Sequence, residues 1–293
     1  MRLLTYLADG ERRLGALAGD QVVDLAAAQA ARTGGSGAIA EMRALIAAGP
    51  DVWARLASDL DSADLSSFSR PLAETKLAAP VQPSKICAIG LNYLDHVLEG
   101  GRPIPKSPVL FAKLPSAVIG PGDTICWEPA LSDKIDWEAE LAVVIGRTAR
   151  RVRAADAYDY VFGYTCADDV SARDLQDRDG QWTRAKSLDT FCPLGPWIVT
   201  RDEAPDPHSL PIRCTVNGEV VQKSNTDQLI FRVPELIEFL SRAFTLLPGD
   251  IILTGTPPGV GHYRNPPRYL QDGDTVAVEI EGIGALVNGC KTE

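Results

Sequence analysis

Short hydrophobic runs separated by polar turns dominate the chain and predict a protein rich in β-strands. The segment LLTYLADGERRLGALAGDQVVDL, residues 3–25, has DG and GD turn signals between such runs, which is typical of a small antiparallel meander. Apolar residues recur at helical spacing over residues 39–60, where Gly49 and Pro50 interrupt them. Later, the stretches GPGDTI, LPGDIILTG and QDGDTVAVEI each place a Gly-Asp turn directly before a β-branched run.

One segment in the later part of the chain has a convincing helical pattern. It covers residues 233–244, and Pro234 is suited to its first turn. The polar stretch DSADLSSFSRPLAETK, residues 61–76, is typical of a connection. We therefore predict an α+β fold dominated by strands, with a small N-terminal α+β domain over residues 1–75 and a larger domain over residues 76–293.

Composition and charge narrow the classes of partner. Acidic residues outnumber basic ones by 39 to 29, so the overall field repels nucleic acid and anionic membrane surfaces. A small anionic substrate would need local positive charge. The start of the chain, MRLLTYLADGER, has no signal-peptide pattern and no run approaches the roughly 20 apolar residues of a membrane span, which predicts a cytoplasmic protein. The six cysteines form no CxxC pair and are expected to be reduced structural thiols.

Two clusters of carboxylates are the strongest chemical signal. In DWEAELAVVIG, an extended strand would place Asp136, Glu138 and Glu140 on one face, although a solvated strand end is an alternative interpretation. In CADDVSARD, the neighbours Asp168 and Asp169 would face opposite ways, so only one of them can join the glutamates. Three oxygen ligands would suit Mg²⁺, Mn²⁺ or Ca²⁺ better than zinc.

Three further features could supply acid–base chemistry or charge. In GLNYLDHVLEG, His96 and Glu99 are three residues apart and would be neighbours on a helical turn, either as a general base with its orienting carboxylate or as a surface pair. Lys186 lies among apolar residues in RAKSLDTFCPLGPW and could balance an acidic site, or it could simply be solvated. The backbone amides of the Gly-rich LTGTPPGVG, residues 253–261, could cradle an anion.

Five motifs taken together resemble the fumarylacetoacetate hydrolase family over roughly residues 77–290. They are GLNYxxHxxE, DWEAELAVVIG, DDVSARDLQ, KSLDTFCPLGPW and GTPPGVG, in this order and spacing. The resemblance is to bacterial and mitochondrial members with a small N-terminal domain. It implies that the larger domain is a catalytic mixed β-sandwich roll and that the protein is a homodimer.

The resemblance also assigns roles to individual residues. The implied metal ligands are Glu138, Glu140 and Asp169, with Asp136 left as a neighbour, and the implied cation is Mg²⁺, with Mn²⁺ or Ca²⁺ as alternatives. His96 and Glu99 correspond to the pair that activates water, and Lys186 to the lysine that faces the reacting group. The positions expected to contact substrate are Arg173, Gln176, Thr256 and, at the pocket rim, Lys113.

The activity that the resemblance implies is metal-dependent hydrolysis of a C–C bond in 2,4-dioxo acids, which releases pyruvate-type products. Oxaloacetate decarboxylation and the isomerisation or hydration of unsaturated 2-oxo diacids are alternatives, because they use the same machinery. A protein that binds such a ligand without turnover is a further alternative. The expected partner is a small anionic 2-oxo acid, and neither nucleic acid nor a membrane is expected.

Overall fold

The computed structural model describes residues 1–34, 38–62, 65–204 and 206–293. Its strands are β1 (Arg2–Ala8), β2 (Glu11–Ala18), β3 (Gln21–Asp24), β4 (Ser69–Pro71), β5 (Leu77–Ala78), β6 (Ile86–Gly90), β7 (Val109–Lys113), β8 (Val118–Ile119), β9 (Thr124–Trp127), β10 (Ile135–Asp136), β11 (Ala139–Ile145), β12 (Val161–Asp168), β13 (Ser171–Ala172), β14 (Cys192–Thr200), β15 (Pro211–Val216), β16 (Glu219–Asn225), β17 (Ile251–Leu253), β18 (Thr275–Ile280) and β19 (Gly284–Thr292). Its α-helices are α1 (Leu25–Thr33), α2 (Met42–Ala48), α3 (Pro50–Ser62), α4 (Leu94–Glu99), α5 (Arg173–Asp179), α6 (Trp182–Ala185) and α7 (Val233–Ala243).

Most strands belong to one large mixed sheet. Its order is β4-β3-β2-β1-β14-β12-β11-β17-β6-β7, with β5 beside β1 and β8 beside β14. A second sheet has the order β16-β15-β18-β19-β9, and β10 pairs with β13. The prediction of an α+β fold dominated by strands is confirmed. None of the described helices is long and apolar enough to cross a membrane.

Strand β11 lies between two hydrophobic cores. Leu141 and Val143 point into the core shared with the second sheet, which includes Val278 of β18. Val144, on the opposite face, belongs to a core that includes Ile46 of α2. Because both faces are covered, the strand is a continuous hydrophobic run with every residue buried. This fully buried strand carries Glu140, one of the predicted metal ligands.

The N-terminal strands form the predicted antiparallel meander and also extend the large sheet. Strand β1 pairs with β2, β2 pairs with β3, and β1 pairs with β14 through Arg2↔Val199 and Leu3↔Ile198. The first strands therefore share a hydrogen-bonded sheet with strands from the later part of the chain. The division into domains over residues 1–75 and 76–293 stays a prediction.

The predicted helices are present, together with short ones that the pattern does not show. The helical region 39–60 forms α2 and α3, which are separated at Gly49, a residue with a φ of 86°. Helix α7 starts at Val233 with a proline in its first turn, as predicted. The expectation that it is the one later helix is wrong, because α4, α5 and α6 also form. They have only 6, 7 and 4 residues, too few to establish a hydrophobic period.

Asp24 is expected to be a strong stabilising residue of the N-terminal region. Its buried carboxylate caps α1 by accepting the Ala27 N–H at 2.9 Å, and it accepts the Tyr6 hydroxyl at 2.7 Å. Asp24→Ala should lower the free energy of unfolding by about 2–4 kcal/mol, because it removes the cap and leaves the Tyr6 hydroxyl without its partner. Urea denaturation measures this loss, and a loss under about 0.5 kcal/mol would contradict the assignment.

The matched variant Asp24→Asn separates the charge of Asp24 from its hydrogen bonds. Burial alone would raise the pKa of Asp24, but the hydrogen bonds from Ala27, Tyr6 and Arg13 outweigh it and lower the pKa. A carboxylate with a lowered folded-state pKa stabilises the protein above the unfolded value of about 3.9, and this contribution disappears as pH falls through the folded value. The stability difference between wild type and Asp24→Asn should therefore shrink on acidification.

Candidate active site

The predicted site residues meet at one edge of the large sheet. Strand β11 starts there and its antiparallel neighbours end there, with Ala139 opposite Asp168 of β12 and Ala142 opposite Leu253 of β17. Strand β6 is parallel to β17 and ends at the same edge. The segments that follow β6, β12 and β17 carry His96, Asp169 and the Gly-rich loop. One sheet edge thus brings together motifs that are far apart in the sequence.

Glu138, Glu140 and Asp169 form a buried cluster of carboxylates. One oxygen from each lies within 4.8 Å of the others. Asp168 faces away from the cluster and accepts the Glu138 N–H at 2.8 Å, so only one of the two neighbouring aspartates joins the glutamates, as predicted. A cluster made only of carboxylate oxygens has the donor chemistry that hard divalent cations prefer.

Asp136 does not share a strand face with the two glutamates, and this part of the prediction is wrong. Strand β10 ends at Asp136 and β11 starts at Ala139, so the extended strand is interrupted at residues 137–138. The Asp136 carboxylate instead accepts the backbone N–H groups of Gly261 at 2.7 Å and His262 at 3.0 Å. It also accepts Arg173 Nε at 2.8 Å. Asp136 therefore anchors a loop and an arginine beside the cluster.

Three buried cations surround two of the carboxylates. The ammonium of Lys186 lies 2.7 Å from Glu138 Oε2 and 2.8 Å from Asp169 Oδ2. Arg173 forms an ion pair with Glu138 Oε1 at 2.7 Å. Lys113 donates to Asp169 Oδ1 at 2.5 Å. Glu140 differs from the other two, because within the described part of the chain it forms no ion pair and accepts the Gly255 N–H at 2.7 Å.

The charges of these neighbours shift the pKa values of the two glutamates in opposite directions. Burial alone would raise the pKa of Glu138, but Lys186 and Arg173 outweigh it and lower that pKa to about 2. Burial raises the pKa of Glu140 well above its ordinary value, and the negative charges of Asp169 and Glu138 raise it further. The nearby cations therefore do not offset the burial and the repulsion that an ionised Glu140 experiences. A bound divalent cation would remove this repulsion, so the residues present fit a metal site.

The predicted His-Glu pair is present on α4. His96 Nδ1 lies 3.1 Å from Glu99 Oε2, and Glu99 Oε1 accepts the Gly259 N–H at 2.9 Å. The buried Asn92, just before this helix, donates to the carbonyl oxygens of Thr254 at 2.8 Å and Phe231 at 3.0 Å. These bonds hold the start of α4 against the loop after β17. His96 is thereby positioned beside the carboxylate cluster.

The amides of the Gly-rich loop do bind anions, but the anions are the protein's own side chains. Gly255, Gly259 and Gly261 donate to Glu140, Glu99 and Asp136, respectively. Gly255 has a φ of 103°, where a residue with a side chain would be strained. This loop orients one carboxylate of the cluster, the carboxylate behind His96 and the anchor Asp136.

The residues predicted to contact substrate lie in different environments. Gln176 Oε1 accepts a hydrogen bond from Arg173 Nη1 at 3.0 Å. Both residues line a small cavity of about 50 Å³ over the cluster. Thr256 also lines this cavity and donates to the carbonyl oxygen of Ala139 at 3.0 Å. The prediction of Lys113 at the pocket rim is wrong. Its side chain is fully buried beneath the carboxylates, because Asp169 and the Lys186 carbonyl oxygen bind its ammonium.

The cavity has further walls that the sequence analysis missed. His96, Lys186 and Glu140 line it together with Phe111, Trp182, Tyr263 and Arg102. The ring centroids of His96 and Tyr263 are 5.6 Å apart. None of these additional residues belongs to a chemical motif. Arg102 lies in a turn with two glycines, and the aromatic residues are also common in ordinary cores, so the sequence offered no specific signal for them.

A cluster of buried carboxylates with a lysine and a histidine at its cavity is typical of an enzyme site rather than of a structural core. The comparison with protein families is consistent with an enzyme. Residues 85–291 match the model for the fumarylacetoacetate (FAA) hydrolase C-terminal domain, which is more than half of the chain. The chain belongs to the fumarylacetoacetate hydrolase family.

Similar proteins carry out several reactions. The mitochondrial oxaloacetate tautomerase of Bos taurus is 52% identical over 221 residues, which are 74% of this chain and 70% of the relative. The structure of 5-carboxymethyl-2-hydroxymuconate delta-isomerase from Mycobacterium smegmatis has 39% identity and a TM-score of 0.79, with 100% of both chains covered. Maleylpyruvate hydrolase from a Sphingobium species has 34% identity and a TM-score of 0.80, again with 100% of both chains covered.

Proposed function

We propose that this protein is a metal-dependent enzyme that interconverts the keto and enol forms of oxaloacetate. The observation that carries the proposal is that His96 and Lys186 line the same small cavity as Glu138 and Glu140. Proton transfer at a carbon next to a carbonyl group needs such a base and such a positive charge. The choice of oxaloacetate is supported by the tautomerase of Bos taurus, which is 52% identical to this chain.

The carboxylate cluster is proposed to hold the divalent cation, with Mg²⁺ as the first candidate. Glu138, Glu140 and Asp169 would be its ligands, because their oxygens lie together and Glu140 has no cationic partner of its own among the described residues. When bound, the cation would polarise the 2-oxo group of the substrate. The interconversion should therefore be lost with a chelator and return with Mg²⁺.

The protein's own groups would move the protons. Glu99 engages Nδ1 of His96, which favours the tautomer with the lone pair on Nε2. In the keto-to-enol direction, His96 would take a proton from C3 of oxaloacetate. The C3–H electrons then form the C2=C3 double bond, the C2=O π electrons move to the 2-oxo oxygen, and protonated His96 returns the proton to that oxygen, which completes the isomerisation. Lys186 would stabilise the charge that develops on this oxygen. Its pKa is raised because Asp169 and Glu138 outweigh the effect of burial, so the ammonium stays charged.

Hydrolysis of a C–C bond in 2,4-dioxo acids is the second candidate. The His96–Glu99 pair is the observation that favours it, because the same pair could take a proton from water. The maleylpyruvate hydrolase of Sphingobium has the same fold at 34% identity, which is consistent with this chemistry. Parallel assays of oxaloacetate tautomerisation and of pyruvate release from acetylpyruvate decide between the two candidates.

His96→Gln is expected to lower the rate of oxaloacetate tautomerisation by about 10²- to 10⁴-fold, the usual contribution of a general base. Enol absorbance in the ultraviolet measures the rate. Glu99→Gln should cause a smaller loss, because the histidine remains and only its orientation is weakened. Unchanged thermal unfolding would show that both variants are folded. Full activity in His96→Gln would remove His96 from the mechanism.

We also propose that the protein is a homodimer with small-molecule partners only. The family resemblance supports the dimer, and the net charge of −10 disfavours nucleic acid. Light scattering coupled to size-exclusion chromatography measures the oligomeric state directly. A monomer at assay concentrations would contradict the dimer without affecting the proposed chemistry.

A further inference from the structure

Arg102 is a cation at the mouth of the pocket for which the described part of the chain provides no carboxylate partner. Lys186 and Arg173 also line the cavity, but both are held in ion pairs with Glu138. Within the described residues, the guanidinium of Arg102 forms no hydrogen bond or ion pair. It is therefore available to a ligand in a way that the other two cations are not.

The backbone places Arg102 next to the proposed base. The Arg102 N–H donates to the Val97 carbonyl oxygen at 3.1 Å, and the Gly100 N–H donates to the His96 carbonyl oxygen at 3.1 Å. The turn that ends α4 thus ties Arg102 to the helical turn that carries His96. Residue 102 is exposed, so its long side chain lies at the mouth of the cavity rather than beneath the cluster.

We propose that Arg102 binds the second carboxylate of a dicarboxylic 2-oxo acid and selects such acids over monocarboxylic ones. This inference rests on the proposed function. A guanidinium can pair with a carboxylate through two parallel hydrogen bonds, which makes arginine a suitable group for this recognition. The chain has a net charge of −10, so a dianion needs a local cation to enter.

The other walls of the cavity offer no equal alternative for the second carboxylate. Phe111, Trp182 and Tyr263 are aromatic without positive charge, Gln176 and Thr256 are neutral, and His96 is the proposed base. Lys186 and Arg173 lie at the carboxylate cluster, where the reacting end of the substrate would bind. A substrate with an uncharged acyl group would leave Arg102 unused, whereas a diacid would pair with it.

The kinetic test compares Arg102→Gln with a matched control. Arg102→Gln should raise the KM for oxaloacetate by about 10- to 100-fold, the range of a hydrogen bond to a charged group, and change kcat only slightly. Lys106→Gln removes one positive charge from the same exposed segment but does not line the cavity, so it should leave KM close to wild type. Arg102→Lys should recover part of the loss. Equal KM values for Arg102→Gln and wild type would overturn the proposal.

A binding test separates this proposal from the proposed function. Malate and lactate are both 2-hydroxy acids, but only malate has a second carboxylate. Their binding can be measured without any catalytic turnover. Calorimetry with Mg²⁺ should show at least about 10-fold tighter binding of malate by the wild type, and this preference should vanish in Arg102→Gln. That result would support the role of Arg102 even if oxaloacetate were not tautomerised. Absence of a malate preference in the wild type, or an unchanged preference in the variant, would overturn it.

Discussion

Glu140→Gln should abolish catalysis and yet leave the metal-free protein at least as stable as the wild type. Glu140 is buried against Glu138 and Asp169, and burial and these charges raise its pKa. Glutamine is nearly the same size and keeps an oxygen that can accept the Gly255 N–H. The variant therefore loses one proposed ligand and one source of repulsion together. We expect activity to fall by at least about 10³-fold, because Lewis-acid catalysis contributes several kcal/mol.

Unfolding experiments with a chelator and with Mg²⁺ test both parts of this prediction. Mg²⁺ should raise the unfolding midpoint of the wild type by mass action but not that of Glu140→Gln. A carboxyl group whose pKa is raised in the folded state costs stability as pH rises above its unfolded value of about 4.3, so the variant's advantage in chelator should grow with pH. The exposed Glu128→Gln is the matched control. A variant that is much less stable in chelator, or that still responds to Mg²⁺, would contradict the assignment.

Lys186→Met is expected to destabilise the metal-free protein strongly. The lysine ammonium pairs with both Glu138 and Asp169, and its side chain is only 3% exposed. Methionine has a similar length but no charge, so it leaves two buried carboxylates without their shared cation. Removing one partner of a buried ion pair costs about 3–5 kcal/mol. Activity should also fall by about 10²- to 10³-fold, because charge on the 2-oxo oxygen is no longer stabilised.

The response to metal distinguishes this charge effect from a packing defect. Mg²⁺ would neutralise the same carboxylates, so it should restore part of the stability of Lys186→Met but little of its activity. Urea denaturation with and without chelator measures the stability, and the tautomerisation assay measures the activity. Lys291→Met, at an exposed position, is the matched control and should resemble the wild type. An equal stability deficit with and without Mg²⁺ would indicate lost packing instead.

Local patterns were sufficient for many of the secondary-structure elements and for the contact between His96 and Glu99, whereas the resemblance to the family grouped the candidate residues into one site. The turn signals before β-branched runs, the helix that starts at Val233 and the break at Gly49 all appear in the structure. The spacing of His96 and Glu99 predicts their contact, because residues three apart on a helix are neighbours. Such features depend on residue type and short spacing, which the chain displays directly.

The environment of each carboxylate could not be predicted in the same way. Three regularly spaced acids predicted one strand face, but the interruption at residues 137–138 assigns Asp136 to Arg173 and to the amides near Gly261. Lys113 contacts Asp169 across 56 positions of sequence, and Gly255 contacts Glu140 across 115. No short pattern encodes contacts of this kind.

The sequence by itself determined a strand-rich α+β protein, which follows from local propensity and hydrophobic periodicity. It also contained the residue types of an acidic site with a histidine and a lysine, and the resemblance to the family, rather than the local pattern, implied their roles. The tertiary structure alone decided that Lys113 lies beneath the cluster and that, within the described region, Glu140 has no cationic partner and Arg102 no acidic partner at the cavity. The reason is physical: burial and charge pairing depend on which distant segments the folded sheet brings to one edge, and these long-range contacts exist only after folding.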